Sequence, residues 1–243
     1  MKRTLKTFLS SLLTRCWIGT RSRMGLSAAL AFSLALTMLS TTMLRAASAP
    51  TGLSDEQIRQ AYLNSYRYEK SQNYADSIKA ISAVVTAYPQ GYTVNLRLGW
   101  LYYLNGDYAN SRQHYLVTIK VAPNSIEAKL GYTLPLMAQE RHESTESVCR
   151  QILMVDSSNF LANLRLAYSL RMQKKFEVVE EVVVRMLGVY PTNVSLLTEL
   201  GLTRVAQGRP VEAKSIFKDI LILDPENVTA KVQMTVLEKP AKP

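Results

Sequence analysis

The chain has 243 residues, 20% of them charged and 47% hydrophobic, an ordinary globular balance. Its net charge of +10 is concentrated at one end: residues 1–49 hold seven of the 29 basic residues and no acidic one, which leaves 22 basic against 19 acidic residues. A near-neutral body removes the electrostatic case for binding DNA or RNA. The two cysteines, Cys16 and Cys149, are split between this end and the body. A body with one thiol forms no internal disulfide framework, and Cys149 reads as a small buried apolar residue.

Residues 1–49 read as a leader. Six cations precede an uncharged run of 21 residues, Met24 to Leu44, and Arg45 and the small-residue stretch Ala46-Ala47-Ser48-Ala49 follow it. A basic segment, an apolar segment and small residues describe a secretory signal. The apolar run is also long enough to stay in a bilayer as an N-terminal anchor, so residues 24–44 are read as one or the other. Pro50 disfavours cleavage after Ala49 and favours a cut after Ser48. In both cases the positive flank stays in the cytoplasm and the body is exported, to a periplasmic or extracellular location. A mitochondrial presequence is the rival, because the first 23 residues combine Arg, Ser and Thr without acid. A lipoprotein signal is rejected, since Arg15 precedes Cys16 and the apolar run comes after it.

Residues 50–57 form a linker and a helix start, where Ser54 and Gln57 make a capping box. The body then repeats one unit. Pro89, Pro123, Pro191 and Pro225 are spaced by 34, 68 and 34 residues, and Asn95-Leu96-Arg97-Leu98 recurs 68 residues later as Asn163-Leu164-Arg165-Leu166. This divides the chain into windows 58–91, 92–125, 126–159, 160–193 and 194–227 without insertion. Each window predicts two helices. In 92–125 the first ends before Gly106-Asp107, the second runs from Tyr108 to Val121, and Pro123 stops the chain. Ser125, Asn159, Asn193 and Asn227 close their windows and are expected to cap the next helix. Pro210 falls at a first turn, where proline is tolerated, and Pro135 lies inside a first helix that it should kink. Residues 228–243 complete the chain as a capping helix and tail.

Leu98, Gly99, Tyr102, Tyr115 and Pro123 in one window, and Leu200, Gly201, Ala213, Phe217 and Pro225 in another, occupy signature slots of a known family. Residues 58–227 resemble tetratricopeptide repeats, whose unit is a 34-residue antiparallel helix pair. Two windows depart most: 58–91 has Asn64-Ser65 in the Leu-Gly slots, and 126–159 has Tyr132-Thr133 there with Ser157 for proline. The resemblance implies an all-α, right-handed α-solenoid of five tetratricopeptide helix-turn-helix repeats plus a C-terminal capping helix.

No chemistry is legible. His114 and His142 lie in different windows without partners at metal-ligand spacing, and no phosphate loop, nucleophile elbow or zinc-protease motif occurs. The expectation is therefore no catalytic residue, no metal and no cofactor. Asn193 and Asn227 match glycosylation sequons, but their shared repeat-closing slot favours helix capping.

The resemblance implies a concave groove lined by the first helices. Its slots hold Tyr62 and Tyr66; Leu96, Arg97, Trp100 and Tyr103; Leu134 and Met137; Leu164, Arg165, Tyr168 and Arg171. Trp, Tyr and Arg dominate binding hot spots, so this set is the candidate partner-binding surface, with the arginines expected to face solvent. The family subtype that clamps a peptide C-terminus with Lys, Asn and Arg is not matched, because Tyr62 and Tyr66 stand in the first-window slots. The expected function is a non-catalytic protein–protein interaction scaffold of the cell envelope that binds a protein or peptide segment. Carbohydrate binding in polysaccharide synthesis or secretion is the alternative, and self-association a third reading.

Overall fold

The computed structural model describes residues 52–238; the expected signal or anchor and the final residues 239–243 lie outside them. The described residues form eleven helices and no strand: α1 (Asp55–Lys70), α2 (Tyr74–Ala87), α3 (Tyr92–Leu104), α4 (Tyr108–Val121), α5 (Ile126–Ala138), α6 (His142–Leu153), α7 (Phe160–Met172), α8 (Phe176–Leu187), α9 (Val194–Ala206), α10 (Pro210–Leu223) and α11 (Val228–Glu238). Among the described residues, no helix is long and apolar enough to cross a membrane.

Polar side chains cap many of the helices. Ser54 and Gln57 form the reciprocal capping box on α1. The side chains of Ser125, Asn159, Asn193 and Asn227 accept from the backbone N–H three residues on, at 3.0–3.1 Å, and satisfy donors that the first turn cannot. The two sequon asparagines are thus engaged as caps. Proline acts differently at two places. Pro210 opens α10 at its first turn. Pro135 lies within α5 and is buried, yet the helix continues to Ala138, so packing holds the turn despite the lost N–H.

The turn inside each helix pair uses one left-handed residue. Gln72, Gly106, Glu140, Lys174 and Gly208 share the fifteenth slot of their windows and all have φ between 55° and 78°. Only two of the five are glycine, so three L-residues carry strain that the repeat geometry imposes.

The core comes from periodicity. In each second helix, the twentieth, twenty-fourth and twenty-seventh window positions fall on one face by spacings of four and three. They hold Ser77, Ile81 and Val84; Ser111, Tyr115 and Thr118; Thr145, Cys149 and Ile152; Val179, Val183 and Met186; Ala213, Phe217 and Ile220, none more than 3% exposed. Burying a side chain of the Ile or Phe class contributes about 1.5–3 kcal/mol. Hydroxyls on this face are satisfied locally: Ser77 donates to the Ser65 carbonyl at 2.7 Å and Ser111 to that of Gly99 at 2.6 Å.

Helices touch their chain neighbours, and α3 also touches α5, α5 touches α7 and α7 touches α9. The first helices of successive pairs therefore form a continuous layer, and the described residues form an all-α solenoid. Its last pair is covered by α11, where Ala230 is buried and Met234 and Leu237 pack on Ala213, Phe217 and Ile220.

Candidate binding groove

The first-helix layer carries two grooves. The larger, about 570 Å³, gathers Tyr62, Tyr66, Leu96, Arg97, Trp100 and Leu134 from the predicted set. The smaller, about 400 Å³, gathers Met137, Leu164, Arg165 and Tyr168. Tyr103 and Arg171 line neither. Tyr103 packs on Trp100 with ring centroids 5.7 Å apart, and the Arg171 guanidinium lies 5.4 Å from the Tyr168 ring centre.

The walls also hold residues outside the candidate set. Thr93 and Glu127 in the larger groove and Ser195 in the smaller all stand at the second window position, a first-turn slot on the groove side of the repeat. Tyr62 donates to Thr93 Oγ1 at 3.2 Å, and Tyr92 donates to Glu127 at 3.1 Å. Burial, and the Glu127 carboxylate opposite, hold the Tyr92 phenol above its usual range. Tyr115 reaches the groove from a second helix because Gly131 leaves room. A Cβ at residue 131 would lie 2.2 Å from the Tyr115 ring. Glycine's role there is close approach, which no single-sequence pattern announces.

The arginines differ from expectation. Arg97 is only 8% exposed, so it is an internal tie and not a solvent-facing anchor. It pairs with Glu69 of the preceding helix pair, donates to Ser65 Oγ at 3.2 and 3.1 Å, and stacks 3.9 Å from the Tyr66 ring centre. Trp100 Nε1 donates to the other Glu69 oxygen at 2.7 Å. Arg171 pairs with Glu199 of the following pair at 2.8 Å. Arg165 donates to the Leu130 carbonyl at 2.6 Å and to Thr133 Oγ1 at 2.7 Å.

These ties account for one departure in each of the two windows that differ most from the family pattern. Ser65 and Thr133 replace the usual small apolar residue, and each offers a hydroxyl to an arginine 32 residues later. What remains open on the groove floor is aromatic and aliphatic: Tyr66 is 55% exposed, and Leu96, Trp100, Leu134, Leu164 and Tyr168 are partly so.

The remaining titratable groups sit in packing. His114 stacks on Tyr102 at 5.2 Å, lies 2.8 Å from Asn95 Oδ1, and is held below its usual pKa by burial. His142 meets Tyr168 edge-on at 5.8 Å. Burial pushes the Cys149 thiol up to about 12. Among the described residues no three His, Cys, Asp or Glu side chains gather as a metal site.

Comparison with known proteins gives the same architecture. A tetratricopeptide-repeat family model matches residues 62–126. No curated protein matches the sequence. Among solved structures, MamA (residues 41 to the end) from Desulfovibrio magneticus RS-1 is 14% identical with a TM-score of 0.65, covering 73% of this chain and 99% of its own. TTC0263, a thermophilic tetratricopeptide-repeat protein of Thermus thermophilus, is 12% identical with a TM-score of 0.56, covering 75% of this chain and 97% of its own. At such identities the likeness speaks for the fold, and it agrees with the family match over residues 62–126 and with the recurring slots of the helix pairs: the described residues form a solenoid of tetratricopeptide-type helix pairs.

Proposed function

We propose that this protein is a non-catalytic interaction scaffold of the cell envelope whose first-helix groove binds a segment of a partner protein. The observation that supports it best is the larger groove, where open aromatic and aliphatic side chains rest on a wall fixed by the internal Arg97–Glu69 ion pair. Tyr66 and Trp100 are held by Arg97 and Glu69 rather than left to move, so little side-chain entropy is lost when a partner arrives. An apolar floor with rigid aromatic anchors suits a peptide segment laid along the groove. Carbohydrate binding has no comparable observation behind it. The envelope location rests on the six cations and the uncharged run of residues 24–44. A reporter fused after Pro243 is then active only outside the cytoplasm, and activity inside overturns that part.

The groove is tested in the full chain by placing a photo-crosslinking amino acid at Tyr66, or at Val211, which is 82% exposed on α10. The expected result is a protein adduct from residue 66 that disappears with Trp100→Ala while the helical melt stays near wild type. Adducts from residue 211 alone would move the binding surface elsewhere.

A further inference from the structure

The three groove arginines are not neutralised alike. The twelfth position of one window meets the sixth position of the next. At the first junction these are Glu69 and Arg97, an ion pair. At the last they are Arg171 and Glu199, the same pair with its charges exchanged, again 28 residues apart. Between the third and fourth windows they are Met137 and Arg165. A thioether supplies no charge, and no carboxylate among the described residues lies within ion-pair distance of Arg165.

Arg165 is partly buried in the wall of the smaller groove beside Met137, Leu164 and Tyr168. Only its Nη1 is used, on the Leu130 carbonyl and the Thr133 hydroxyl. Nε and Nη2, the edge that grips a carboxylate with two parallel hydrogen bonds, have no partner among the described residues. Arg171 shows that edge at work: its Nε and Nη2 reach the two oxygens of Glu199 at 2.8 and 3.5 Å. Burial lowers the Arg165 pKa, since a half-desolvated cation without a counter-ion is disfavoured. A carboxylate arriving with a ligand removes that penalty.

We propose that the segment bound in the groove carries an acidic side chain, Asp or Glu, flanked by apolar residues, and that Arg165 receives this carboxylate. The proposal rests on the groove reading above and adds the chemistry of its occupant. The carboxylate belongs to a side chain within the segment and not to a chain end, because groove surface continues on both sides of Arg165, with apolar Leu134 on one side and Leu164, Tyr168 and Val194 on the other, although Glu199 also lines the smaller groove. Leu130 and Thr133, which hold it, share α5 with Leu134 of the larger groove, while Leu164 and Tyr168 line the smaller. A segment running through both grooves passes Arg165.

The test is selection of random dodecapeptides, displayed as fusions through their C-termini, on the purified full-length protein. The expected result is one fixed Asp or Glu between apolar residues. In the selected peptide made with an amidated C-terminus, replacing that acid by its amide should weaken binding at least tenfold. Arg165→Met should produce the same loss, and the two changes should not add. Met137→Glu supplies the carboxylate from within; it should also weaken binding at least tenfold while the thermal melt stays at or above wild type, which keeps the test open if Arg165→Met folds poorly. Selected peptides without a fixed acid, no selected peptide at all, or binding indifferent to Arg165→Met and Met137→Glu would overturn the proposal. Acid-free peptides that are lost on Trp100→Ala overturn the acidic specificity alone. Peptides that bind the Trp100→Ala and Arg165→Met variants as well as wild type overturn the groove reading too.

Discussion

Arg97 and Arg165 occupy the same slot two windows apart, yet their replacement by methionine should have unequal effects on stability. The Arg97 side chain is 7% exposed and its partner Glu69 23% exposed. Arg97→Met removes the cation and leaves the Glu69 carboxylate half-desolvated, with Trp100 Nε1 as its remaining donor. Breaking one side of such a pair costs about 3 kcal/mol. For a domain of this size that corresponds to roughly 6–12 °C in Tm. Arg165→Met leaves no orphan, because Thr133 Oγ1 already donates to the Leu130 carbonyl at 2.7 Å. It also removes a cation that no carboxylate compensates, so its net effect should stay within about 1 kcal/mol in either direction. The assay is urea unfolding followed by helical circular dichroism, with Glu69→Leu completing a double-mutant cycle. The Arg97→Met/Glu69→Leu double variant should recover most of the loss, since a well-packed apolar pair replaces the ion pair. Equal destabilisation by Arg97→Met and Arg165→Met would refute the reasoning. It would mean that Arg165 has a structural counter-charge, and the inferred carboxylate partner would fall with it.

Replacing Gln72, Glu140 and Lys174 together by glycine should stabilise the protein by about 1–2 kcal/mol in a thermal melt, because relief of left-handed strain at three sites exceeds the entropy that glycine adds to the unfolded chain. Gly131→Ala should destabilise by about 2 kcal/mol through collision with the Tyr115 ring, and Tyr115→Leu in the same chain should restore part of that in denaturant titration. Cys149 should resist iodoacetamide at pH 8 in the native state and react once urea unfolds the chain, since burial pushes its thiol up to about 12. The same shift links to stability. The folded thiol holds its proton to higher pH than the unfolded one, so this contribution is intact below the ordinary thiol pKa and falls as pH rises from there toward 12, read as a declining urea midpoint.

The exchange of charge between Glu69–Arg97 and Arg171–Glu199 shows how a groove wall is kept single-valued in a repeat protein. Each helix pair contacts chiefly its neighbours, so the relative setting of pairs depends on what crosses each junction. Ion pairs at the first and last junctions fix two of these settings from the groove side. At the second junction Gly131 and Tyr115 do so by close packing.

The helix pairs, their order and their caps were legible in the chain, because each rests on local chemistry: a 34-residue register, a side-chain oxygen before a first turn, proline after a last one. The shared face of each first helix was legible too, since spacing puts Tyr62 with Tyr66 and Leu96 with Trp100 on one side. Spacing within one helix does not say what stands across from it. Arg97 and Arg165 look equivalent in the sequence, in the repeated Asn-Leu-Arg-Leu. Their difference lies 28 residues upstream, in Glu69 against Met137. Only the stacking of one pair on the next brings those positions together, and that decided which arginine became internal structure and which kept a free edge. The left-handed turn residues follow the same division. Gly106 and Gly208 announce the turn locally, whereas Gln72, Glu140 and Lys174 adopt it because the packed helices on either side leave the chain no other path.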